Sequence, residues 1–192
     1  IMISGPAPEV GKSFISTNLA TIFAQSNKKI LLLDADVRRG YLHKYFNQDY
    51  QPGLSEYLNQ ISPLEQCIKA TDVDNLHIMT RGKSPANPSE MLSSERFREM
   101  LDLLSQQYDH IIIDTPPVLA VTDSIIIAQY SGVNLVVARY AKTQIKELEL
   151  TISRFDQAGV KVNGFILNDI QRTSGSSYGY NYAYAYTANK DD

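Results

Sequence analysis

The sequence holds one cysteine, no apolar run long enough to cross a bilayer, and little excess charge of either sign. Each shortage excludes something. Cys67 alone makes no internal disulfide, which suits a reducing compartment. A membrane helix needs about 20 consecutive apolar residues; no stretch approaches that, and no signal peptide is visible. A net charge of −3 supplies no global field for nucleic acid, so no such partner is expected. His43, His77 and His110 lack metal-ligand spacing and read as surface or structural residues.

What is present describes a globular domain. With 192 residues, 43% hydrophobic and 20% charged, the chain can bury a substantial core. Apolar, β-branched runs at 1–4, 29–35, 75–80, 109–115, 134–140 and 162–169 alternate with helical periodicity at 12–26, 93–106, 122–130 and 143–158. Nearly continuous apolar runs belong to strands covered on both faces. Strand and helix in alternation predict an α/β fold with a doubly wound, mostly parallel sheet. Ser94, Asp123 and Thr143 each sit near a helix start and are expected to cap it. The opening IMIS reads as the end of a strand, so the chain is expected to be cut from a longer protein, which can include a membrane segment. After Asp169 the composition turns to Gly, Ser, Asn, Ala and Tyr, which predicts a domain over 1–170 and a mobile tail over 171–192.

The stretch SGPAPEVGKSF follows one strand and leads into a helix, the context of a phosphate-binding loop. Gly11 lets backbone N–H groups approach phosphate, Lys12 reaches the β- and γ-phosphates, and the Ser13 hydroxyl ligates Mg²⁺. The usual spacing puts a glycine at position 6; here that residue is Pro6, and Gly5 precedes it. ILLLDAD and IIIDTPP place Asp34, Asp36 and Asp114 at the C-terminal ends of buried strands, the edge where such sheets bind ligands. Mutual repulsion of three carboxylates is relieved by a cation, and Mg²⁺ with ATP supplies one. Arg38 and Arg39 read either as a solvated turn or as a contact for phosphate or an acidic surface. Asn168, ending the last strand, occupies a position where related folds often read adenine.

Five tyrosines, Tyr178, Tyr180, Tyr182, Tyr184 and Tyr186, alternate with Gly, Asn and Ala. An edge strand would put all five on one face, but the interleaved residues are weak strand formers. A flexible substrate segment is the preferred reading.

With these motifs together, the chain resembles the bacterial tyrosine kinases (BY-kinases), the cytoplasmic domains of inner-membrane proteins that control capsule and exopolysaccharide production. The resemblance implies a P-loop NTPase fold of the MinD/ParA type and an ATP-dependent protein-tyrosine kinase. It casts Gly5, Pro8, Glu9, Val10, Gly11, Lys12, Ser13 and Phe14 as the nucleotide loop, with Asn168 beside it, and Ser13, Asp36 and Asp114 as the Mg²⁺ residues. Lys12, Asp34, Asp36 and Asp114 become the catalytic set, with Asp34 the candidate to take the phenol proton. The tail tyrosines become phosphoacceptors for a neighbouring subunit in a homo-oligomeric ring. It also implies a cognate tyrosine phosphatase and an internal regulatory tyrosine, Tyr41, which otherwise reads as a packing residue starting a short helix; Arg81, ending the strand at 75–80 and expected along the same sheet edge, is the candidate partner. The family's oligomerisation motif and its transmembrane helices are not among these residues, so ring assembly and membrane attachment would come from elsewhere. Two rivals stay open: a MinD/ParA-type positioning ATPase, whose signature lysine would fall where Ala7 stands, and a nucleotide-gated scaffold without enzymatic activity.

Overall fold

Alternation along each strand decides which of two cores a side chain enters, and β2 (Ile30–Asp34) shows it plainly. In the computed structural model, which describes residues 1–171, Leu31 and Leu33 enter one buried cluster while Ile30 and Leu32 enter the other. Both faces of the sheet are therefore covered, as the continuous apolar runs require.

The chain begins with β1 (Met2–Ser4), crosses through α1 (Lys12–Gln25) to β2, and then makes three short helices: α2 (Leu42–Tyr45), α3 (Leu54–Leu58) and α4 (Leu64–Cys67). There follow β3 (Ile68–Ala70), β4 (Leu76–Met79), α5 (Pro88–Leu92), α6 (Glu95–Ser105) and β5 (His110–Asp114). The remainder is α7 (Asp123–Ala128), β6 (Asn134–Arg139), α8 (Ile145–Gln157) and β7 (Gly164–Asn168). The sheet order is β3-β4-β2-β5-β1-β6-β7, parallel except for the antiparallel pair of β3 with β4. Ala20 and Ala24 of α1, with Leu42 of α2, cover one face; Phe97, Met100 and Leu104 of α6, Ile127 of α7 and Phe155 of α8 cover the other.

The predicted doubly wound sheet is therefore present, with its six parallel strands where the apolar runs stand. The seventh strand, β3, was not expected. Its three residues, IKA, carry no readable period and pair only because β4 offers a free edge. Of the expected caps, Ser94 does accept the Phe97 amide. Asp123 and Thr143 do not cap. Asp123 is the first residue of α7 and its carboxylate takes a guanidinium instead; Thr143 accepts the Arg139 amide, while Gln144 occupies the cap position of α8. No helix among the described residues is long and apolar enough to cross a membrane. The five alternating tyrosines and the tail boundary at 171–192 lie outside the described residues, apart from Gln171.

Candidate functional site

β1 runs inside the sheet between β5 and β6, and its C-terminal end releases the phosphate loop. Gly11 adopts φ 100° just before α1, a left-handed conformation, and a side chain there would run into the Asn168 amide nitrogen. Among the described residues no side chain caps the α1 N-terminus, and no acidic residue occupies its first turn, so its N–H groups and dipole suit an anion. Lys12 opens that helix, buried, with Nζ donating to the Ala7 carbonyl at 3.3 Å. Burial pulls its pKa down, and the nearby Asp114 and Asp36 charges oppose that. Pro8, Glu9 and Phe14 are exposed on the loop and first turn, while Gly5 and Val10 are buried beneath it.

The sheet order sets the rest. β5 inserts between β1 and β2, so Asp114 stands in register with Ile3 on one side and with Asp34 on the other. Its carboxylate accepts Ser13 Oγ at 2.6 Å on one oxygen and Ser16 Oγ at 3.0 Å on the other. Burial lifts the Asp114 pKa to about 6, against the hydrogen bond from Ser13 and the charge of Lys12. Ser16 was not anticipated; its spacing of three from Ser13 on one helix is the signal that would have found it.

Asp34 is fully buried. Its Oδ2 accepts the Leu42 amide at 3.1 Å, and its Oδ1 has no hydrogen-bond partner among the described residues. Gly40 lies so close over the carboxylate that a Cβ there would collide with it. Burial, and secondarily the Asp114 charge, push the Asp34 pKa well up. So enclosed, the Asp34 carboxyl meets a phenol only if the Gly40–Leu42 backbone over it moves. Asp36, two residues on, is half-buried; its Oδ1 accepts the amides of Arg38 at 3.3 Å and Arg39 at 2.9 Å.

The far side of the loop is held by β6 and β7. Asn168 donates from Nδ2 to the Val10 carbonyl at 3.0 Å, so in this state it braces the loop with the amide expected to read adenine. Arg139, also unanticipated, bridges Asp169 at 2.9 Å and the Glu9 carbonyl at 3.2 Å. Arg38 is exposed, and of the two readings its guanidinium takes the contact with an acidic side chain, that of Asp123 at 2.7 Å. Arg81, just past β4, donates to the Gly40 carbonyl at 2.8 Å and lies 4.7 Å from the Tyr50 ring. Tyr41 is about half exposed and stacks on Tyr45, ring centroids 5.9 Å apart. The histidines contact aromatic rings: His43 with Tyr50, His110 with Phe23, and His77, which also hydrogen-bonds the Tyr108 hydroxyl at 2.7 Å.

Ser13 can meet a cation while still hydrogen-bonded, since donating its proton to Asp114 leaves oxygen lone pairs free. Among the described residues no three His, Cys, Asp or Glu side chains are arranged to hold a metal by themselves. Mg²⁺ takes one or two carboxylates and completes its shell with phosphate and water. The orphaned Asp34 oxygen, the uncapped helix and the buried lysine form a set that a magnesium nucleotide fits.

A family model described as an AAA domain matches residues 1–164. The chain is 72% identical over 174 residues, 91% of its length, to tyrosine-protein kinase ptk of Acinetobacter johnsonii, and 45% identical over 188 residues, 97% of its length, to tyrosine-protein kinase wzc of Salmonella typhimurium. It spans 24% and 26% of those relatives. Among solved structures, the kinase domain of Escherichia coli tyrosine kinase ETK superposes with a TM-score of 0.86 at 42% identity, covering 93% of this chain and 71% of that one. The septum site-determining protein MinD of Pyrococcus horikoshii, complexed with Mg-ADP, shares the fold at a TM-score of 0.74, covering 90% of this chain and 71% of that one, but only 21% identity.

Proposed function

The chain belongs to the Wzc/Etk family of bacterial tyrosine-protein kinases, and from that premise we propose that it transfers the γ-phosphoryl group of ATP to tyrosine hydroxyls. The observation that carries the proposal is the meeting of Lys12, Ser13 and Asp114 with Asp36 at one sheet edge. The identity to tyrosine kinases at this length favours phosphoryl transfer to protein over a positioning switch.

Such a transfer depends on positioning and charge neutralisation. The loop amides and Lys12 hold the β- and γ-phosphates. Magnesium bound with ATP would neutralise charge on them, and Ser13, Asp114 and Asp36 are the residues placed to hold it. The bond between the γ-phosphorus and the β,γ-bridging oxygen breaks as the phenol oxygen attacks. The leaving oxygen stays on ADP. A phenol has a pKa near ~10 and arrives protonated, so a carboxylate that receives its proton helps. Burial of Asp34 supports giving that task to Asp36, with Asp34 left to anchor the Gly40–Leu42 backbone.

The acceptors we assign are Tyr178, Tyr180, Tyr182, Tyr184 and Tyr186 on a neighbouring subunit. Ring assembly, a membrane-anchored whole protein, control of capsular or exopolysaccharide production and reversal by a cognate phosphatase complete the reading. The test is incubation with Mg-ATP followed by phosphopeptide mass spectrometry. Phosphate on the alternating tyrosines is expected; ATP hydrolysis with no phosphotyrosine would defeat the proposal.

Tyr41 and Arg81 form the regulatory pair. Arg81 already grips the carbonyl of the residue before Tyr41, so loss of either side chain changes how the 40–42 segment sits over Asp34. Phosphorylated Tyr41 gains roughly −1.5 to −2 charge, and Arg81, bound to the carbonyl of the preceding residue, is the partner assigned to it. Tyr41→Phe and Arg81→Ala are each expected to lower phosphorylation of an added tyrosine peptide by about fivefold or more. Wild-type rates in both would leave Tyr41 a packing residue.

A further inference from the structure

We propose that Asp123, on the opposite side of Arg38 from the reacting groups, is a positioning residue that holds Asp36 in place; the catalytic part of this inference rests on the kinase reading above. The Arg38 side chain leaves the Asp36 loop and reaches α7. There its Nε donates to Asp123 Oδ2 at 2.7 Å and a terminal nitrogen donates to Oδ1 at 3.2 Å. Ser89 of α5 adds a third donor to the same carboxylate at 2.6 Å. Asp123 is fully buried, so its charge is compensated by these partners rather than by water.

The other end of Arg38 is its own backbone. The amides of Arg38 and Arg39 both donate to Asp36 Oδ1. Fixing the guanidinium in a planar two-point grip therefore fixes the peptide units that orient the Asp36 carboxylate. Among the described residues no protein donor reaches Asp36 Oδ2, the oxygen left to face a cation or a phenol. A second arginine closes the segment from the other side, since Arg81 holds the Gly40 carbonyl. The loop from Asp36 to Gly40 is thus clamped at both ends, one clamp running to α7 and the other to the turn after β4.

The geometry makes three demands. The grip needs a forked donor, so Arg38→Lys, which keeps the charge but not the fork, only partly replaces it. Arg38 and Asp123 act as one unit, so their losses do not add. The effect falls on the placement of Asp36 and not on the phosphate loop, so it appears in kcat with little change in the KM for ATP. A displacement of about 1 Å at a reacting group lowers rates by as much as about 100-fold.

The experiment compares wild type, Asp123→Ala, Arg38→Ala, Arg38→Lys and the double alanine variant. Without nucleotide, hydrogen exchange at the Arg39 amide should accelerate about tenfold or more in each alanine variant, with β5 amides unchanged. With Mg-ATP, kcat for an added tyrosine peptide should fall about 10- to 100-fold with KM for ATP within about twofold. The double variant should match the single ones, and Arg38→Lys should fall between them and wild type. An unchanged Arg39 amide, acceleration spread equally across the sheet, or losses that multiply in the double variant would each overturn the clamp. If wild type makes no phosphotyrosine, the kinase reading fails while the exchange measurement still decides whether Asp123 holds the loop.

Discussion

Lys12→Met is expected to yield a folded chain whose tyrosine phosphorylation is lower by roughly 10²–10³, the scale for removing one preorganised donor from a charge-stabilising site. Met keeps the length and most of the bulk of the buried stem, so α1 and the core around Ala20 and Ala24 should stay intact. What disappears is the cation. Nζ lies 3.3 Å from the Ala7 carbonyl, at the bend of the phosphate loop, with Asp114 and Asp36 acting on it. Phosphates entering the loop would then add negative charge beside those two carboxylates with no protein cation on that side. Circular dichroism should be unchanged and phosphopeptide signal nearly lost. A folded variant that retains wild-type phosphotyrosine would remove the assignment of the chemistry to this loop.

Asp114→Asn is expected to act in opposite directions on stability and activity. Its folded pKa of about 6 stands above the ordinary 3.8, because burial disfavours the ionised form more than Ser13 and Lys12 support it. A raised carboxyl pKa contributes stability that is fully present below the unfolded value. That stability is lost as pH rises from about 4 through about 6. Above pH 6 the nucleotide-free protein therefore carries a buried carboxylate at a cost of about 3 kcal/mol, from roughly two pKa units at 1.4 kcal/mol each. Asparagine removes that cost, and it also relieves Asp34, whose pKa is raised first by burial and then by Asp114. The variant should melt several degrees higher than wild type at pH 7.5 and no higher at pH 4, with a flatter dependence of Tm on pH between them. Its phosphorylation rate should fall by about 10² or more, because the charge that orders Ser13 at the phosphate site is gone. Thermal melts across pH 4–8 decide the matter: a variant less stable than wild type at pH 7.5 would contradict the account.

These two effects arise from one design. The site is assembled from charges that the fold alone accommodates poorly and that a cationic nucleotide complex would balance. Asp34 without a partner for one oxygen among the described residues, Asp114 with a raised pKa and Lys12 with a lowered one are three signs of it. Binding sites commonly hold such groups because the ligand completes them.

The amino-acid sequence by itself determined the fold class and the chemistry of the loop. Six strands were legible because parallel strands covered on both faces read as unbroken apolar runs, and GKS at a helix start reads as phosphate binding wherever it lies. It also identified the aspartates, since a charged residue ending a buried strand stands out against its neighbours. The tertiary structure alone decided their surroundings. β5 enters the sheet between β1 and β2, a pairing between residues roughly 80 and 110 positions apart that no local pattern encodes, and it places Asp114 against both Ser13 and Asp34. Likewise Asp34 and Asp36 look equivalent along the chain. The turn through Gly40 and Leu42 closes over the first and leaves the second half-buried. The grip of Asp123 on Arg38 joins helices and loops 85 residues apart, and so a residue expected to cap a helix instead steadies a carboxylate. Spacing along a chain reports hydrogen-bond periods and strand faces, whereas burial and charge compensation depend on which distant segments the sheet order brings together.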